Sequence, residues 1–232
     1  MRTPQTRTPP RQRATLVNAR SRQTRRALIL AALALWSDGD FDELYETSTA
    51  ADIANAAGVS KGTFYFHFAS KEEVLLELSL ATVQAMIDDV DKGVRQGVPL
   101  QSLTVQVMTS MARRVARAPK AAALRAGALG VQSRLTQVTT ARPRIGSAFE
   151  ALIRHGKDRG ELSAKVDVED AAAMLSAVSI EAINRWGAGD RSVSWLRQAL
   201  CRRAETVLRG LGMPASGHSA GRRAMRSATA RG

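Results

Sequence analysis

Between Thr49 and Glu72 the chain reads TAADIANAAGVSKGTFYFHFASKE, and this stretch restricts the fold more than any other. Thr49 and Ser60 are residue types that cap helix N-termini, and each precedes a short helical segment, 49–56 and 61–66. Helices this short are marginal alone and must lean on one another. A steep crossing needs small residues at the contact, which Ala54 and Ala57 supply. Gly58 accepts the positive φ that the turn requires, and Val59 plugs the turn beside Ile53. The pattern predicts a helix-turn-helix whose second member begins at Ser60 with its N-terminal amides facing outward, a ready seat for a phosphate.

The second helix of the pair carries an unusual set of side chains. Phe64 and Phe68 read as core. Lys61, Gly62, Thr63, Tyr65, Phe66 and His67 read as exposed. Gly62 permits close backbone approach to a duplex. Thr63 suits a base edge or a thymine methyl, and Tyr65 and His67 suit phosphates. Lys71, at the start of the next helix, suits the same task, and Arg22, Arg25 and Arg26 near the start of the first are placed to reach the phosphate backbone; Arg22, Thr49 and Ser60 complete the candidate DNA-contact set. A plain helical hairpin inside a bundle explains Ala54, Ala57, Gly58 and Val59, but not aromatics and a histidine crowded behind a Ser-Lys-Gly start.

On these residues, Ile53-Ala54, Ala57-Gly58-Val59-Ser60, Lys61-Gly62-Thr63-Phe64-Tyr65, His67-Phe68 and Ser70-Lys71-Glu72, residues 21–75 resemble the N-terminal domain of the TetR family of transcriptional regulators. The resemblance implies an all-α chain. In that family three helices and the start of a fourth form the DNA reader, and the helical domain behind them binds a small molecule and dimerises. One feature departs from the pattern: Asp40 to Glu46 lengthen the link between the first two helices and carry Asp40, Asp42, Glu43 and Glu46, charges that sit poorly against phosphate.

Helical periodicity and the Gly and Pro punctuation give about nine helices and no strand-like alternation. The expected domains are a disordered basic arm over 1–20, a helix-turn-helix domain over 21–72, a helical regulatory and dimerisation domain over 73–212 and a disordered basic tail over 213–232. The first helix is expected from Ser21, its N-cap, to Ser37, with Ile29, Ala32, Leu33 and Trp36 inward. Phe41 to Ser48 is expected as a connection, with Phe41 packed under the first helix. The fourth helix starts behind Ser70, with Glu73 completing a capping box, and runs to about Lys92 before a break at Gly93, Gly97 and Pro99. Later helices are expected near 100–117, 120–136, 143–160, 167–187 and 192–210.

In the regulatory half Met108, Met111, Phe149, Met174 and Trp186 are candidates for the lining of an effector cavity. Several methionines with few aromatics suit an adaptable apolar site. The resemblance implies that the last two helices pair with those of a second copy. Ala171, Ala172, Met174, Leu175, Val178 and Ile183 form one apolar face, and Trp195, Leu196, Ala199, Leu200, Val207 and Leu208 another.

Charge and residue counts narrow the function. The net charge is +13, yet Arg2, Arg7, Arg11, Arg13 and Arg20 at one end and Arg222, Arg223, Arg226 and Arg231 at the other carry nine of those charges. Basic ends suit a polyanionic partner. One cysteine, Cys201, excludes an internal disulfide. No apolar run approaches the length of a bilayer span, and a cytoplasmic location is expected. Three histidines, with no metal-ligand spacing, no phosphate-cradling glycine loop and no nucleophile elbow, argue against an enzyme, a metal or a cofactor. The function these features imply is a repressor that binds a palindromic operator in double-stranded DNA as a homodimer and is released by a small molecule. The alternative is a constitutive or architectural DNA-binding protein without an effector.

Overall fold

The computed structural model describes residues 10–136 and 144–213, with side chains for 19–132 and 144–213. Every element among them is helical: α1 (Pro10–Leu35), α2 (Phe41–Thr47), α3 (Ala50–Ala56), α4 (Lys61–His67), α5 (Lys71–Arg95), α6 (Leu100–Val115), α7 (Lys120–Thr136), α8 (Ile145–Asp158), α9 (Val168–Gly187) and α10 (Val193–Gly210). The chain divides into two compact units, Met1–Glu77 and Leu78–Gly232. The division falls inside α5, five residues beyond the expected boundary at 72. Residues 1–9 of the expected arm and 214–232 of the expected tail lie outside the described residues.

Among the described residues ten helices stand where nine were expected, because the acidic link is itself a helix. Asp40 caps α2, its carboxylate accepting the Glu43 N–H at 3.0 Å. Phe41 and Tyr45, four residues apart, share one face of α2 and are both buried. They close on Trp36, the residue just after α1: the Trp36 and Phe41 rings meet edge-on at 6.2 Å, Trp36 and Tyr45 lie 5.1 Å apart, and Phe41 stacks on Tyr45 at 5.5 Å. Burial of three rings is ample to hold two turns of helix that would not form alone.

Helix α1 begins at Pro10, eleven residues before Ser21. Proline suits the first helical position, since its missing N–H needs no partner there, and the Arg, Gln and Ala that follow are strong helix formers. Ser21 is therefore interior to α1 and caps nothing. The inward stripe of α1 is Leu28 and Ala32, continued by Trp36 just beyond its end, all fully buried, whereas Ile29 and Leu33 are half-buried. The expected stripe was rotated by one residue at its start, because both spacings satisfy the same periodicity.

Gly93 does not break α5. It is buried within that helix, and a Cβ there would overlap Leu103. The chain turns instead at Gly97, where φ is +63°. In the second unit α9 packs against α8 and α10, and α10 also packs against α6. Met108, Phe149, Leu152, Leu175, Leu196 and Leu200 belong to one continuous core there. Met213, assigned by sequence to the disordered tail, is buried in that core, its N–H donating to the Leu208 carbonyl at 3.0 Å behind Gly212 at φ +93°.

Candidate nucleic-acid interface

Helices α3 and α4 form the expected pair. Thr49 caps α3 in a reciprocal box, its Oγ1 accepting the Asp52 N–H at 3.3 Å while Asp52 accepts the Thr49 N–H at 2.8 Å. The Thr49 hydroxyl proton also goes to Asp52, at 2.7 Å. That hydrogen bond, foremost among its influences, holds the Asp52 carboxyl below its ordinary value. Thr49 thus secures the start of α3 and has no hydroxyl proton to offer a phosphate. Ile53 and Ala54 are fully buried. Gly58 turns the chain at φ +69°, and the N–H groups of Gly58 and Val59 return to the carbonyls of Asn55 and Ala54, each at 3.0 Å.

Ser60 caps α4, its Oγ accepting the Thr63 N–H at 3.1 Å and lying 2.9 Å from Thr63 Oγ1. Phe64 and Phe68 are buried as expected. Lys61, Gly62, Tyr65 and Phe66 are exposed, and Thr63 and His67 are half-buried. Lys61 Nζ stands 6.0 Å above the Tyr65 ring and has no ion-pair partner among the described residues. Partial burial first, and the nearby Arg25 charge second, hold the His67 imidazole below its ordinary value, which favours the neutral ring. Arg22 is exposed on α1. Of the sequence-predicted set, Arg22, Thr49, Ser60, Lys61, Gly62, Tyr65 and Phe66 are exposed, Thr63, His67 and Lys71 are half-buried, and Thr49 and Ser60 serve helix caps.

Lys71 is a correction. Its ammonium donates to the carbonyls of Tyr45, Glu46 and Ser48, at 2.5, 3.2 and 3.3 Å, and lies 4.5 Å from the centre of the Tyr45 ring. All three of its protons serve the C-terminal end of α2, where unpaired carbonyls and the helix dipole favour a cation. None is left for a phosphate. Tyr45 in turn donates its hydroxyl to Glu72 at 2.9 Å. Burial pushes the Glu72 carboxyl up, but hydrogen bonds from Ser70, its own backbone and Tyr45, with the Lys71 charge, outweigh it and leave it lowered. Glu73 reaches back to the Ala69 N–H at 2.7 Å, one residue further than the expected box.

Arg25 was read from the sequence as a phosphate contact. Its guanidinium instead lies over Phe68, donates to the His67 carbonyl at 2.6 Å and pairs with Glu77 at 2.5 Å. It binds the end of α4 to α1 and α5. No sequence spacing marks such a clamp, because its partners are 42 to 52 residues away. The signal for α2 was present: a capping residue, Asp40, followed by aromatics at helical spacing.

In the second unit Met108, Met111, Phe149 and Trp186 are buried, but Met174 is 51% exposed on α9 and lines no interior. Its position on the outer side of the helix removes it from the cavity set. No helix among the described residues is long and apolar enough to cross a membrane.

Residues 28–78 match the profile of bacterial regulatory proteins of the tetR family. Over 88 residues the chain is 39% identical to the A-factor receptor protein of Streptomyces griseus, a match covering 37% of this chain and 28% of that protein. Over 81 residues it is 40% identical to the HTH-type transcriptional activator FasR of Mycolicibacterium smegmatis, covering 35% of this chain and 34% of that protein. The matched segment thus spans no more than 34% of the length of either curated relative. Among solved structures, the chain is similar to Thermus thermophilus FadR, a TetR-family transcriptional repressor in complex with lauroyl-CoA, with a TM-score of 0.62 at 21% identity over 85% of this chain and 100% of that one. It is also similar to tylP, a tetR regulator from Streptomyces fradiae, with a TM-score of 0.56 at 24% identity over 92% of this chain and 100% of that one. These structural likenesses extend the shared fold through both units. The likeness to the tetR family of bacterial regulatory proteins thus rests, in sequence, on residues 28–78, which hold the helix-turn-helix.

Proposed function

We propose that the chain is a transcriptional repressor that binds a palindromic operator in double-stranded DNA as a homodimer and leaves it when a small molecule binds the second unit. The observation that carries this reading is α4, a capped helix held by buried Phe64 and Phe68 with Lys61, Gly62, Tyr65 and Phe66 displayed on its free side. Lys61, Tyr65, His67 and Arg22 hold phosphates, the amides behind Ser60 seat another, and Thr63 contacts a base edge. One helix of seven residues reads few base pairs, so two copies a helical turn apart read a palindrome.

Homodimerisation through α9 and α10 is supported by Met174 and Val193, which are exposed, and by Val178, Ile183, Trp195 and Val207, which are half-buried. The effector's place is supported by Met108, Met111, Phe149 and Trp186 in the core of the second unit. The Trp186 indole N–H and the Ser179 hydroxyl are buried there with no hydrogen-bond partner, an arrangement that suits a ligand offering an acceptor. Similar proteins include a receptor for A-factor and a repressor holding lauroyl-CoA, which favours a small-molecule response. FadR is a repressor and FasR an activator. The protein acts on DNA without catalysis and in the cytoplasm. A constitutive binder without an effector is the second reading, favoured by the nine arginines at the two ends.

Selection of bound DNA from a random pool at fixed salt tests the reading. Recovery of a two-fold-symmetric site supports it; uniform recovery of all sequences, with steep salt dependence, leaves the constitutive reading in its place.

A further inference from the structure

Phe66 is 81% exposed, more than any other large apolar side chain among the described residues. It lies on α4 two positions from Phe64, which is fully buried. At about 100° per residue, Gly62 and Phe66 fall close together on the side of the helix opposite Phe64. Helical side chains lean toward the N-terminus, so the Phe66 side chain leans toward the turn that starts at Gly62. The fold does not need glycine there: a Cβ on Gly62 would meet only Ser60 Oγ, at 3.7 Å. Within the domain the phenyl ring meets the edge of His67, at 5.1 Å and 84°. The ring and the glycine are thus both exposed on the side of α4 that faces away from the buried Phe64.

A phenyl ring neither donates nor accepts an ordinary hydrogen bond, so it cannot read the polar groups on a base edge. The major groove is wide enough to admit a helix and presents one apolar group, the C5-methyl of thymine. Polar duties fall to the neighbours, the Lys61 ammonium, the Tyr65 hydroxyl and the Thr63 hydroxyl. We propose that Phe66 reads the C5-methyl group of a pyrimidine in the major groove, at one position in each operator half-site, over the space that Gly62 leaves open. The inference rests on the operator-binding reading above and adds the chemical group that one residue recognises.

Deoxyuridine isolates the effect, because it keeps every hydrogen-bonding group of thymidine and lacks only the methyl. The full chain is first used to select its operator, and each thymine of the half-site is then replaced in turn, symmetrically. At one position the Kd should rise about fourfold per half-site, or about fifteenfold for the pair, the factor expected for one methyl buried from water. The Phe66→Ala variant, its fold checked by circular dichroism, should bind thymine and uracil operators alike. Equal binding of all uracil operators by the unsubstituted chain overturns the inference and leaves the operator reading intact. An unchanged preference for thymine in Phe66→Ala overturns it too. A chain that selects no sequence at all overturns the operator reading itself, and this inference with it.

Discussion

The Arg25 guanidinium lies 4.2 Å from the centre of the Phe68 ring and, from that position, spans from α1 to the end of α4 and to Glu77 of α5. Planar stacking and a forked set of donors are properties of arginine that lysine lacks. Arg25→Lys is expected to destabilise the first unit by about 1–2 kcal/mol, most of it lost stacking and hydrogen bonding, since a partly exposed ion pair adds well under 1 kcal/mol. A lower urea midpoint with an unchanged salt slope of DNA binding is the expected result. A reduced slope would mean that Arg25 also meets phosphate.

Gly62 separates the needs of the fold from those of the partner. A Cβ there fits the protein, and alanine favours helix by up to about 1 kcal/mol over glycine. Gly62→Ala should unfold at the same or higher temperature yet bind its operator about tenfold more weakly, a change of roughly 1.4 kcal/mol. Thermal unfolding and a gel-shift titration on one preparation check both halves.

Lys61 and Lys71 are both lysines at helix starts, but only Lys71 is fully engaged. Lys61→Ala should weaken binding to every sequence and reduce the slope of log K against log salt by about 0.9. Lys71→Ala should leave that slope unchanged and loosen α2, lowering the unfolding midpoint. Slopes measured across three salt concentrations separate the two.

His67 makes stability depend on pH. Its folded value lies below that of the free side chain, so the unfolded chain binds the proton more readily. Stability from this group is complete above about pH 6.5 and is lost as the pH falls through the lower folded value. Urea midpoints should fall below that pH, and His67→Gln should flatten this part of the profile. An identical profile in the variant would assign the dependence to other groups.

Met174 tests the pairing of copies. An exposed methionine at the outer face of α9 tolerates a charge in the single chain but not in an apolar interface. Met174→Glu should sediment as a monomer and lose operator affinity, with its helical signal unchanged. A variant that remains dimeric moves the interface elsewhere.

Much of this architecture was legible in the sequence because its signals are local. Caps at Thr49 and Ser60 precede helices, and Gly58 marks the turn by the one conformation it alone accepts without strain. The alternation of buried Phe64 and Phe68 with displayed Tyr65 and Phe66 follows from helical period. What escaped was non-local or doubly encoded. Arg25 and Lys71 look like phosphate ligands until their partners at Glu77 and Tyr45 are brought near by tertiary packing. Asp40 to Glu46 reads as an acidic loop until the three rings of Trp36, Phe41 and Tyr45 are seen to close. Met174 matches an inward period and an outward one equally, and only packing decides.

The contact between Trp36 and Tyr45 gives the reading domain its own optical reporter. The chain has three tryptophans; Trp186 and Trp195 belong to the second unit, and Trp36 alone belongs to the first. Its indole nitrogen donates to Ser48 at 2.8 Å and its ring is sealed from water by α2. With Trp186 and Trp195 changed to phenylalanine, emission from Trp36 would shift to the red when the inserted helix detaches. The melting of one unit would then be visible by colour, separately from the other.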